Sequence, residues 1–217
     1  MVGTAHPTVN MEHQIKLLIA TGNTGKAAEI TAELAGVDDI QCLSLRDFPP
    51  VEECEETGTT FEENAILKAK YYAEKFKVLT LADDSGLEVD ALNGEPGVYS
   101  ARYAGTPCDD LANNAKLVQS LAGVPAEQRT ARFRCVMAMV DSDGKLLGTA
   151  CGKIEGRIID EPRGQNGFGY DPHFFMDELG KTTAEISSAE KNKISHRGQA
   201  TGAMRTLLEK LYREKKL

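Results

Sequence analysis

An apolar run of strand length, Ile15 to Ala20, leads into Thr21-Gly22-Asn23-Thr24-Gly25-Lys26 and then into the helix-forming stretch Ala27 to Ala35, stopped by Gly36. A strand handing over to a helix through a glycine-containing turn commits this part of the chain to α/β construction. At such a junction the backbone N–H groups and the positive end of the helix dipole face the space beyond the strand, which suits an anion. Lys26 adds a mobile positive charge. A P-loop is excluded, because it needs four residues between its glycines and Ser or Thr after Lys; here two residues separate Gly22 from Gly25, and Ala27 follows.

Further along, Thr60 and Glu63 form a capping-box pattern, and Phe61, Ala65, Ala69, Tyr72 and Phe76 mark one face of a long helix. Val78 to Ala82 reads as a buried strand, and Leu87, Val89 and Ala91 as a second short one, with Asp83-Asp84-Ser85 between them at the strand end. Asn93 to Gly105, rich in Gly and Pro, is too long for a simple turn and is expected to cover something. Leu111, Ala115, Val118 and Leu121 have the spacing of a helix. Thr130 to Val140 and Lys145 to Ile154 are joined by Asp141-Ser142-Asp143-Gly144, a hairpin signal that mixes antiparallel strands into the sheet. Ser187 with Glu190 repeats the capping box, and Ala200, Met204, Leu207, Leu208 and Leu211 line the last helix.

The 217 residues allow one substantial core or two closely joined lobes, and no Pro/Ser-rich linker divides them, so residues 15–217 are expected to form one domain. The segment 1–14 lacks an apolar signal core and is expected to be a disordered extension. No apolar stretch approaches the roughly 20 residues needed to cross a bilayer. The odd count of 5 cysteines, with no Cys-x-x-Cys pair, argues against a disulfide framework or thiolate zinc site and fits a reducing cytoplasm. A net charge of −8 disfavours a nucleic-acid partner and leaves room for a small anion held by a few placed groups.

Taken singly, each polar segment has an ordinary use: a turn into a helix for Thr21 to Lys26, a cap for Asp83-Asp84-Ser85, a solvated charge run for Glu52 to Glu56. Chemistry offers an alternative for each. Crowded carboxylates need a cation or a proton, and Mg²⁺ takes one or two protein carboxylates and completes its shell with water and substrate phosphates. Arg197, in Ser195-His196-Arg197-Gly198, carries donors only, so at a base edge it favours a keto oxygen over an amino group. Phe168, among Gly164, Gly167 and Gly169, offers a ring on which a flat base can stack.

Read together, Ala20-Thr21-Gly22-Asn23-Thr24-Gly25-Lys26, Phe61-Glu62-Glu63-Asn64-Ala65, Ala82-Asp83-Asp84-Ser85-Gly86-Leu87, Gly97-Val98-Tyr99-Ser100-Ala101-Arg102-Tyr103, Gly167-Phe168-Gly169-Tyr170-Asp171-Pro172 and Ser195-His196-Arg197-Gly198 resemble the inosine triphosphate pyrophosphatase family, in order, over about residues 15 to 212. The resemblance implies an elongated α/β fold: a long mixed β-sheet flanked by helices, two lobes with a central cleft, and a homodimer. It also implies hydrolysis of ITP, dITP and XTP to the monophosphate and pyrophosphate with Mg²⁺, clearing deaminated purines from the nucleotide pool.

Carried over position by position, Thr21, Gly22, Asn23, Thr24, Gly25 and Lys26 are the expected triphosphate loop. Glu55 and Asp84 are the expected metal acids, Asp84 also the base for water, and Asp83 a supporting acid. Ser85 is expected to touch substrate, with Phe168, Gly169, Tyr170, Asp171, Lys191, His196 and Arg197 around the base. His173, where the family commonly has an apolar residue, and residues 1–14 depart from its pattern. The related Maf-like pyrophosphatases share the fold and phosphate loop and form a second reading; a sensor without hydrolysis would lack a metal acid or Lys26, and neither is missing.

Overall fold

The computed structural model of the protein describes residues 14–37 and 39–216. All but the last residue of the expected N-terminal extension, 1–14, therefore lies outside the described residues.

The first strand, β1 (Ile15–Ile19), pairs in parallel with β2 (Ile40–Ser44) on one side and with Leu79 to Leu81 of β3 (Leu79–Val89) on the other. Helix α1 (Thr24–Leu34) supplies the crossover between β1 and β2, and α2 (Phe61–Phe76) leads into β3. Beyond β3 the sheet becomes antiparallel through β4 (Thr130–Val140), β5 (Leu146–Ile158), β6 (Phe174–Met176) and β7 (Lys181–Thr182), giving the seven-stranded order β2-β1-β3-β4-β5-β6-β7. This is the mixed α/β sheet expected.

The β4–β5 hairpin forms where the Asp-Gly signal lies. The Asp141 side chain accepts from the N–H groups of Asp143 and Lys145 at 3.0 and 2.9 Å, and Gly144 takes φ +87°, which the turn requires. Both capping boxes also form, Thr60 with Glu63 at the start of α2 and Ser187 with Glu190 at the start of α4 (Ser188–Ile194). Helix α5 (His196–Arg213) turns Ala200, Met204, Leu208 and Leu211 inward, with Leu207 partly buried beside them.

Three apolar clusters result. One lies between the sheet and helices α1 and α5, built from Leu17, Ile30, Leu81, Met137, Met204 and Leu208. A second, on the opposite face under α2, contains Leu18, Ala65, Ala69, Ala82 and Ala138. The third fills the far lobe around Leu87, Phe133, Ile158, Tyr170 and Phe174, with Leu117 and Leu121 from the region of α3 (Asp110–Ser120).

The acid pair does not lie at a strand end: β3 runs unbroken from Leu79 to Val89, and Asp83, Asp84 and Ser85 face Met137, Val136 and Cys135 of β4 in continuous antiparallel register. The polar tripeptide interrupts the apolar pattern without interrupting the ladder. What stops is β1, whose pairing with β3 reaches only Leu81, so the edge of β3 is exposed to the cleft where the acids begin. Farther on, the segment Gly97–Arg102 covers that edge, and Ser100 Oγ accepts from the Leu87 N–H at 2.9 Å. The loop over 93–105 thus has the covering role expected of it.

Helix α3 forms where the helical spacing over 111–121 lies; Leu121 just beyond it is buried, Leu111 is exposed, and the helix itself buries Asn113, Asn114 and Leu117.

Candidate active site

Alternation along β3 decides the site's geometry. Successive side chains point to opposite faces, so Asp83 and Ser85 project toward α1 and α5, and Asp84 toward α2. Neither acid faces open water: the side chains are 0% and 7% exposed. Each carboxylate is instead matched by cations arriving from other elements.

On the α1 and α5 face, Lys26 lies 3.1 Å from Asp83 Oδ2, the Arg197 Nε lies 3.7 Å away, and Ser85 Oγ donates to the same oxygen at 3.0 Å. Burial by itself would raise the Asp83 pKa, but Lys26 and Arg197 hold its carboxyl well below the usual carboxylate range. Arg197 also donates to Ser85 Oγ at 2.8 Å and forms an ion pair with Glu29 of α1. Burial opposes its charge, and Asp83 and Glu29 more than offset that, keeping the guanidinium charged. Glu29 is shared with Lys191 at 3.1 Å, and Lys191 reaches Asp171 at 2.6 Å. An alternating chain of charge therefore links Lys26, Asp83, Arg197, Glu29, Lys191 and Asp171. It joins the phosphate loop to the aromatic loop.

On the α2 face, Asp84 accepts from Asn64 Nδ2 at 3.1 Å and lies 3.4 Å from the Lys68 ammonium, which is 2.7 Å from Glu56. Burial raises the Asp84 pKa, and Lys68 only partly opposes this. Asn64 and Lys68 were not singled out from sequence. Their signal was available: they stand four apart on α2, and a buried Asn within an apolar stripe needs a partner.

Glu55, the expected metal acid, is exposed, while Glu56 turns inward to Lys68 and to Arg102 at 3.5 Å. Adjacent residues of an extended segment point in opposite directions, and sequence alone does not say which one meets Lys68. Glu56 and Asp84, flanking one ammonium, form an oxygen donor set that suits a hard divalent cation with further ligands from water and phosphate. Among the described residues no group of three or more His, Cys, Asp or Glu is placed to hold a metal.

The segment Thr21 to Lys26 carries the chain from β1 into α1. Asn23 caps α1 by accepting the Lys26 N–H at 3.0 Å, and Gly22, Asn23 and Thr24 are exposed at the cleft mouth. Phe168 packs directly on Gly25, where a Cβ would come within 2.8 Å of the ring and force it to shift. The ring also lies over the Lys191 ammonium at 4.8 Å and the Arg197 guanidinium at 5.6 Å. Asp171 accepts the Phe168 N–H at 2.9 Å, and Tyr170 donates to Ser100 O at 2.7 Å. One cleft is lined by Lys26, Ser85, Phe168, Gly169, Lys191 and Arg197 among others. A wider groove, around Glu62, Glu88, Tyr99 and Arg134, shares none of its lining.

His196 stacks on Phe133 with ring centroids 4.9 Å apart, and its Nδ1 is buried without a partner. Burial, with Arg197 and Lys191 nearby, holds its pKa well below the usual imidazole value. The unfolded chain takes up this proton below roughly pH 6.5 and the folded chain does not, so stability should fall with pH below that point, by up to about 1.4 kcal/mol per unit. Denaturant melts from pH 7 to 5 should show that slope, reduced in His196→Phe. An unchanged slope would mean that His196 titrates alike in both states.

A family model described as the Ham1 family matches residues 17–207. The chain belongs to the Ham1 family. Among curated relatives of this Ham1-family chain, a dITP/XTP pyrophosphatase of Desulforamulus reducens is 52% identical over 198 residues, 91% of this chain and 98% of that one. The dITP/XTP pyrophosphatase of a Bacillus cereus strain is 52% identical over 93% of this chain and 97% of its own. A solved Ham1 protein from Coxiella burnetii superposes with a TM-score of 0.81 at 40% identity, covering 91% of this chain and 100% of that one. The Staphylococcus aureus Ham1 protein gives 0.79 at 42% identity, covering 89% and 98%. Among the described residues no helix is long and apolar enough to cross a membrane.

Proposed function

We propose that this chain is a nucleoside triphosphate pyrophosphatase that hydrolyses ITP, dITP and XTP to the monophosphate and pyrophosphate. The observation that carries this is β3: one continuous strand presents Asp83 to the cations Lys26 and Arg197 on one face and Asp84 to Lys68 and Glu56 on the other. Lys26 and Arg197 line one cleft with Phe168 and Lys191, and Asp84 lies on the opposite face of the same strand. The naming of relatives at 52% identity supports the same reading.

In this mechanism the Thr21 to Lys26 loop and the start of α1 receive the triphosphate, and Lys26 is placed to exchange part of its contact with Asp83 for phosphate oxygens. Asp84, oriented by Asn64 and raised in pKa by burial, accepts the proton of a water that attacks the α-phosphorus in line. The new bond joins water oxygen to the α-phosphorus, the bond to the bridging oxygen breaks, and pyrophosphate leaves. Asp84 and Glu56 fit Mg²⁺, which when bound supplies neutralisation of the triphosphate charge.

Arg197 favours a keto oxygen on the base and disfavours the adenine amino group. Neutral His196 retains an unpaired Nδ1 beside it. We further infer that residues 15–217 act as one domain in the cytoplasm, as a homodimer, with no nucleic-acid or membrane partner.

Pyrophosphate release from ITP, XTP, dUTP, GTP and ATP, with Mg²⁺ and after its removal by chelator, tests the reading. ITP and XTP should turn over, ATP should lag far behind, and chelation should stop release without unfolding the protein. Preferential turnover of dUTP would favour the Maf-like alternative.

A further inference from the structure

We infer that Asp110 and Asn114, at the start of α3, are specificity-determining positioning residues that lock Gly169, and through it the Phe168 ring, on the base side of the cleft. This deepens the proposed function and rests on it.

Beside Leu117, the buried face of α3 carries two asparagines, Asn113 and Asn114. Asn113 is accounted for locally: its Oδ1 accepts the Ala104 N–H at 2.7 Å and its Nδ2 donates to Ala101 O at 3.0 Å. Asn114 instead reaches across the chain. Its Nδ2 donates to Asp110 O and to Gly169 O, both at 2.8 Å. Both neighbours are acceptors, so the amide orientation follows from the bonds themselves. The Asn114 Oδ1 is then buried without a partner, a cost to the fold that an apolar side chain of similar size would avoid.

Gly169 is held from its other side as well. Asp110 Oδ2 accepts the Gly169 N–H at 2.8 Å, and Asp110 itself lines the cleft. Both polar backbone atoms of Gly169 are therefore bound to one turn of α3, in a residue whose φ of +61° favours glycine. On the other flank Asp171 holds the Phe168 N–H. Phe168 is fixed between these anchors, with its ring against Gly25 and over Lys191. A ring so placed sets the thickness and tilt of whatever lies beside it. The α3 contacts thus bear on which base fits, while the groups that handle phosphate and water sit elsewhere on α1, α2 and β3.

The test uses the full-length protein with Asn114→Asp, which keeps the side-chain size but sets a carboxylate against two carbonyl oxygens, and Asp110→Ala as a second variant should the first not fold. KM for ITP should rise about tenfold, the worth of roughly one hydrogen bond, with kcat within a few-fold. Discrimination of ITP over GTP should fall by a similar factor, and KM for base-free ribose 5-triphosphate should not change. Amide hydrogen exchange over 165–171 should accelerate in both variants while the sheet stays protected. Unchanged KM, discrimination and exchange would overturn the inference, as would equal losses on ITP and the base-free compound. If the parent released no pyrophosphate from any nucleotide, the proposed function would fail, and exchange over 165–171 would still decide whether α3 locks the loop.

Discussion

Asp84→Asn should leave a folded protein whose release of pyrophosphate from ITP is about 10²- to 10⁴-fold slower, the usual contribution of a positioned general base. The amide matches the carboxylate in shape and can still accept from Asn64, so packing under α2 is preserved. Burial already disfavours the Asp84 charge, which makes its removal tolerable to the fold. Lys68 would keep Glu56 as its partner at 2.7 Å. What disappears is the group able to take a proton from water and one of the two carboxylates facing Lys68. Steady-state kinetics with saturating Mg²⁺, alongside a thermal melt, separates the effects. Turnover within a few-fold of the parent, at unchanged stability, would remove Asp84 from the role of base.

Arg197→Met should be the most damaging change to stability, at about 3–5 kcal/mol, the usual penalty for breaking a buried ion pair by removing one partner. Arg197 is 2% exposed and stands between Asp83 and Glu29. Without it, Asp83 retains Lys26 and Glu29 retains Lys191, but each loses the charge that they share through the guanidinium. Adding Glu29→Gln should recover part of the loss, since one of the stranded charges is then gone. Chemical denaturation of both variants measures this. A single variant as stable as the parent would mean that the network contributes nothing to folding, and a double variant no better than the single would place the cost at Asp83 or in lost packing.

Much of the fold was legible because local rules agreed with the tertiary outcome. The run Ile15 to Ala20, the loop to Lys26 and the following helix obey simple patterning, and so do the two capping boxes and the Asp-Gly hairpin. The continuity of β3 was not legible. Three polar residues in a strand look like its end unless one knows that Lys26, Arg197 and Lys68, from three separate helices, supply the compensating charge. The same ignorance of partners hid the choice between Glu55 and Glu56, which depends on where Lys68 points, and the burial of Asn113 and Asn114 in α3, whose partners Ala101, Ala104 and Gly169 lie in other segments. For the candidate site, residue types and order in the chain were readable, whereas pairing across elements was not. Asn64, Lys68 and Glu29 belong to that second category.

Because β3 and β4 each run 11 residues through both halves of the molecule, the halves share a beam and have no joint between them. Opening the mouth around a triphosphate by a pivot at the acids would have to break the rungs that hold Asp83 and Asp84 opposite β4. A widening that spared those rungs would have to come from twist of the sheet or shift of the helices upon it, and either would leave the two carboxylates in register with β4.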